Sequence, residues 1–78
     1  MIQQNKKIIG ETIRQARKKN KLTQNFVANK AKISRNYLSD LENGRYAPSS
    51  ETLLFLSKIL KIDINALIQE LNFDKEVS

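Results

Sequence analysis

A chain of 78 residues has room for one domain and a small core, since a chain of that size buries only about 60% of its unfolded surface. Histidine and cysteine are both absent, which removes the usual metal ligands, thiol nucleophiles and disulfides, and the side chain best suited to proton transfer near neutral pH. No enzyme, metal or other cofactor is therefore expected. The net charge of +6 is unevenly spread: residues 1–35 carry ten Lys/Arg against one acid, Glu11, and residues 36–78 carry four against seven. Such a basic first half suits a polyanion binder, because Lys and Arg release condensed counterions when they meet phosphates. A solvated lysine-rich surface would carry the same charges. No apolar run approaches the ~20 residues that span a bilayer, and the N-terminus lacks the apolar segment of a signal peptide. The expectation is a cytoplasmic protein with no membrane partner.

In chain order, Ile9, Ile13 and Ala16 share one helical face with Lys7, Arg14 and Lys18 opposite, which predicts an amphipathic first helix over residues 6–19. Thr23 is a good N-cap for a short second helix from Gln24 to Lys30, in which Val27 precedes Ala31 by one turn. Ala31, Lys32 and Ile33 leave only a short connection before Ser34, which caps a third helix. A link that short forces an angled helix pair, the helix-turn-helix geometry. On the third helix Arg35, Asn36, Ser39, Asp40 and Asn43 occupy one half of the surface, while Tyr37, Leu38 and Leu41 occupy the other. Asn43-Gly44 closes it, because glycine takes the left-handed conformation cheaply.

Pro48 marks an extended or turning segment. Ser49 then caps a fourth helix with Glu51 near its positive end, and Leu53, Leu56 and Leu60, widened by Leu54, Phe55 and Ile59, imply a largely buried element. Asp63 caps a fifth helix reaching about Leu71, with Ile64, Leu67, Ile68 and Leu71 as its apolar set. No segment alternates with period two, so the fold is expected to be an all-α bundle of five short helices. Phe26 is either additional core or an apolar spot offered to a partner. Core is the expectation, because the second helix has few other large apolar residues.

The ordered pieces "LTQ", a small residue at Ala28, "ISRNYLS", "ENG" and "PSSETL" resemble the Cro/CI-type (Xre family) helix-turn-helix proteins over about residues 9–68. The resemblance implies a lambda-repressor-like DNA-binding domain with its helix-turn-helix at about residues 24–43 and the third helix reading the major groove. Carried over by position, Arg35, Asn36, Ser39 and Asp40 become the base-reading candidates. Their chemistry is suitable: Arg holds guanine O6 and N7, Asn holds adenine N6 and N7, and Asp accepts from cytosine N4. Asp40 needs that donor, or Arg35, to sit near phosphates. Thr23 and Gln24, at the positive start of the second helix, and Ser34, Tyr37, Asn43, Arg45 and Tyr46 are the phosphate-contact candidates. Tyr37 either donates its hydroxyl to a phosphate or packs its ring at the core edge. The resemblance also pairs Arg17 with Glu42 as a structural ion pair. Lys32 departs from the family at a turn position that is often glycine, and positive φ there would cost a lysine about 1 kcal/mol.

One short helix reads only a few base pairs, so a homodimer on a near-palindromic operator is expected, its half-sites about 34 Å apart. Ile64, Ile68, Leu71 and Phe73 are the candidate dimer residues. All 78 residues are read as one DNA-binding domain, with 72–78 a flexible or dimer-contacting tail. Repression is favoured over activation because blocking a promoter needs only occupancy, and no small-molecule ligand is evident. Two other readings compete. One is a protein-interaction module using Phe26, Tyr37 and Tyr46; the other is a nonspecific nucleic-acid coat, which leaves the polar row of the third helix unexplained.

Overall fold

Short polar side chains start four of the five helices, each by accepting a backbone N–H that the helix itself leaves unpaired. Thr23 Oγ1 accepts from Phe26 (3.1 Å), Ser34 Oγ from Tyr37 (3.0 Å) and Ser49 Oγ from Thr52 (3.2 Å). Asp63 Oδ1 accepts from Asn65 and Ala66 (3.0 and 3.3 Å). The computed structural model describes residues 2–71 and contains α1 (Ile2–Lys19), α2 (Gln24–Ala31), α3 (Arg35–Glu42), α4 (Ser50–Leu60) and α5 (Ile64–Glu70), with no strand among those residues. The expected five-helix all-α fold is therefore present. Helix α1 begins at Ile2, earlier than the apolar pattern suggested, because its Gln and Lys residues favour helix and nothing in the segment breaks one.

The C-terminal ends of α1 to α4 follow one device, whereas α5 ends at Leu71 in an extended conformation. A residue in the left-handed region stops the helix, and the next N–H reaches back five residues to a carbonyl: Leu22 to Arg17 (3.0 Å), Ile33 to Ala28 (3.0 Å), Arg45 to Asp40 (2.9 Å) and Ile62 to Ser57 (2.9 Å). The stopping residue is Gly44 (φ 75°) after α3, but lysine at the other three ends: Lys21 (φ 58°), Lys32 (φ 60°) and Lys61 (φ 58°). After each lysine comes Leu22, Ile33 or Ile62, and all three pack against the core. That apolar anchor is the usual companion of this helix stop.

Ile13, Val27, Leu38, Leu41, Leu56 and Leu60 form the fully buried centre, extended by Ile9, Ala28, Ala31, Leu67 and Leu71. Helix α1 lies against the end of α3 at Gly10, where a Cβ would run into the Leu41 carbonyl oxygen and lie 2.9 Å from that of Glu42. Asn20 ties the end of α1 to the end of α4 by donating to Ala16 O (2.7 Å) and Leu60 O (3.1 Å).

Three expectations are corrected. Phe26 is not core: it is 45% exposed with Lys30 Nζ 5.6 Å from its ring centroid, because Val27, Ala28 and Ala31 already fill the inner face of α2. Helix α4 is not largely buried: Leu56, Ser57 and Leu60 make a narrow inner stripe, whereas Leu54 and Phe55 face solvent. Leu71, expected at a dimer surface, is buried beside Leu67 and closes this chain's own core, leaving Ile64 and Ile68 half-buried on α5. Phe73 and the tail 72–78 lie outside the described residues.

Candidate nucleic-acid interface

Leu38 and Leu41 fix one side of α3 in the core, which turns the opposite side outward. On it Arg35 and Asn36 are exposed and Ser39 and Asp40 half-exposed. Among the described residues the Asp40 carboxylate forms no ion pair, with Arg35 or any other cation. Thr23 and Ser34 are exposed at the starts of α2 and α3, each with its hydroxyl engaged as a cap. Asn43, Arg45 and Tyr46 are exposed beyond the other end of α3. Tyr37 is half-buried and packs on the core, with its ring tilted by 37° at 6.4 Å from the Tyr46 ring, so its ring lies at the core edge.

Beneath this row lies a charged centre. Glu42, at the end of α3, is 3% exposed. Arg17 of α1 grips it with two bonds, Nε to Oε2 (2.7 Å) and Nη2 to Oε1 (3.1 Å), and also donates to Leu22 O (3.0 Å). Arg14 Nε stands 3.7 Å from Glu42 Oε1, while its Nη2 donates to Asn43 Oδ1 (2.6 Å). Gln24 Nε2 donates to Glu42 Oε1 (3.1 Å), and Gln24 Oε1 accepts from Arg35 Nη1 (3.2 Å). The hydrogen bonds to Glu42 raise the Arg17 pKa above its ordinary value; burial opposes this and the carboxylate charge adds to it. The guanidinium therefore stays charged throughout the working pH range.

A carboxylate buried this deeply is tolerable only because its oxygens are fully engaged, and among the described residues no buried side-chain polar atom lacks a partner. The chain Arg17, Glu42, Gln24, Arg35 runs from the interior to the exposed row, so α1 and α2 together orient a side chain on α3. Three residues in and around this centre do not stand out in the sequence as parts of it. Arg14 was placed on the solvent side of α1, Gln24 was considered only for its place at a helix start, and Gly10 was passed over. One signal was available: Gly10, Arg14 and Arg17 are spaced i, i+4, i+7, a stripe on one helix face that begins with a residue lacking a side chain.

Among the described residues no group of His, Cys, Asp and Glu is arranged to hold a metal ion, and no helix is long and apolar enough to cross a membrane. Two capped helices joined by a three-residue turn, the second presenting polar side chains to solvent, define a helix-turn-helix domain. The chain belongs to the Xre-type helix-turn-helix domain family, whose profile matches residues 10–72.

The chain is 43% identical over 68 residues to the immunity repressor protein of Bacillus phage phi105, covering 87% of this chain and 47% of the relative. It is 43% identical over 61 residues to the ImmF control region 10 kDa protein of the same phage, covering 78% of this chain and 68% of that one. The crystal structure of the clp gene regulator ClgR from Corynebacterium glutamicum is similar with a TM-score of 0.78 and 29% identity, covering 85% of this chain and 70% of that one. The chain thus spans about half the length of the phage immunity repressor. The family is one of transcriptional regulators, not enzymes.

Proposed function

We propose that the chain is a sequence-specific double-stranded DNA-binding regulator of transcription, acting as a repressor, with α3 in the major groove. The observation that carries this reading is the bond that Arg35 donates to Gln24. It ties an exposed Arg, beside Asn36, Ser39 and Asp40, to a buried carboxylate, which suits a side chain that must arrive at a base edge in a fixed pose. An α-helix with its side chains is about 10–12 Å across, which suits a groove about 12 Å wide. Arg35 then reads guanine, Asn36 adenine and Asp40 cytosine N4, with Ser39 beside them.

Phosphates are met on both flanks. Thr23 caps only the Phe26 N–H, so the first-turn N–H groups beginning at Gln24 face an anion on one side, with Ser34 nearby. Asn43, Arg45 and Tyr46 take the other flank. Asn43 Oδ1 accepts from Arg14, and its Nδ2 is the atom that donates. Two copies bind a near-palindromic operator, since one such helix discriminates too few base pairs. The phage immunity repressor among the relatives supports repression over activation.

Selection from random duplex DNA at near-physiological salt, with sequencing of the bound fraction, tests the reading. Two inverted half-sites about 34 Å apart are expected. Binding without enrichment of any sequence would overturn it in favour of a nonspecific coat.

A further inference from the structure

Among the described residues the exposed large apolar side chains are Phe26, Tyr46, Leu54 and Phe55. Phe26 lies beneath Lys30 and Tyr46 leans toward Tyr37. Leu54 (58% exposed) and Phe55 (47%) instead stand side by side on the outer surface of α4. They fall between Glu51 and Lys58, so the four residues occupy i, i+3, i+4 and i+7 and share the face opposite Leu56, Ser57 and Leu60. Glu51 and Lys58 are both exposed, and neither joins an ion pair among the described residues.

We propose that this face is where two copies of the chain meet, α4 lying antiparallel to α4 about a two-fold axis that passes between Leu54 and Phe55. Glu51 and Lys58 are equally far from that midpoint in sequence. The axis therefore brings Glu51 against Lys58 of the partner subunit, and Lys58 against Glu51 of the partner subunit, around a shared apolar centre. An isologous contact needs such self-complementarity, and a surface for an unrelated partner does not. A parallel pairing would set like charges on each other. The helix dipole explains an acid near the start of α4 and a base near its end, but not two apolar side chains between them.

The inference rests on the two-copy reading of the operator and supplies its contact surface. One pair of helices about 16 Å long buries less than the ~1,200 Å² of a standard interface. The dimer is therefore weak in solution and is reinforced on DNA, where the second copy binds at high effective concentration.

Sedimentation equilibrium of the full chain without DNA, up to about 500 µM, tests it; a monomer–dimer equilibrium with a Kd of roughly 10–100 µM is expected. Glu51→Lys or Lys58→Glu should weaken association about tenfold, because each reversal makes both symmetric pairs repulsive. The variant carrying both reversals should return to within about threefold of the parent, even though it opposes the helix dipole. Leu54→Ser with Phe55→Ser should leave only monomer with an unchanged melting temperature, since both residues are exposed. A chain monomeric throughout overturns the proposal. So does a dimer that survives these variants but is lost with Ile64→Ser and Ile68→Ser. If operator selection still yields paired half-sites in either case, only the surface is wrong and base reading stands.

Discussion

Helices α3 and α4 are both short, both capped by serine and both buried along one side, yet they are held differently and face solvent with different chemistry. The buried polar residue of α4, Ser57, satisfies itself locally by donating to Leu53 O (2.7 Å), and the rest of its inner stripe is apolar. The buried polar residue of α3, Glu42, is bound by side chains from α1 and α2 as well as enclosed by packing. Apolar contact is non-directional and tolerates a small rotation of the helix, whereas a two-pronged Arg–carboxylate bond does not. On the proposed reading, the helix whose outer groups each reach a particular atom is the one given directional anchors. The helix whose outer face offers Leu54 and Phe55 is held by packing and, at its last residue, by the bond from Asn20 to Leu60 O.

That contrast breaks most visibly at Glu42. Glu42→Ala leaves Arg17 and Arg14 without their carboxylate and should cost about 3–5 kcal/mol in urea unfolding, a large share of the roughly 5–15 kcal/mol of a small domain. Gly10→Ala, which drives a methyl into the Leu41 carbonyl, should cost about 1–3 kcal/mol and displace α1 from α3. Arg35→Ala or Asn36→Ala should cost about 1–3 kcal/mol on the selected operator and relax preference at one or two positions, while Arg45→Ala should weaken all sequences and flatten the salt slope by about one unit. Equal losses on operator and random DNA for all three would remove the distinction between reading and gripping. The smallest effect belongs to α4: Leu54→Ser should change folding stability by no more than about 0.5 kcal/mol, measured in the same urea series. A larger loss would mean that its outer face is structural after all.

Local chemistry was legible in the sequence; of the long-range wiring only the Arg17–Glu42 pair was, and that through the family resemblance. Thr23, Ser34, Ser49 and Asp63 cap the helices they were expected to cap, because a cap involves residues only two or three apart. Lys32 takes positive φ at the turn position where the family often has glycine. The polar row on α3 could be written down from helical spacing, since Leu38 and Leu41 fix the opposite side. Periodicity gives the width of an apolar stripe but not how much of it a neighbour covers, which is why Phe26, Leu54 and Phe55 were placed inside. The family resemblance pairs Arg17 with Glu42, which bond across 25 residues, but no pattern in the sequence gives the bond of Arg14 to Asn43 across 29. Gln24 meets Glu42 across 18. Those distances depend on how three helices cross, and the pattern of a single helix contains nothing about that.

The lysines that end α1, α2 and α4 couple two properties that are usually tuned apart. Glycine at Lys21, Lys32 or Lys61 would relieve about 1 kcal/mol of left-handed strain, and each such change would lower the net charge of +6 by one. Laboratory evolution for heat resistance would therefore be drawn to these positions. Each gain would come with weaker attraction to polyanions and a shallower response to salt. Thermal adaptation of this chain and its electrostatic reach would move in opposite directions through the same three residues.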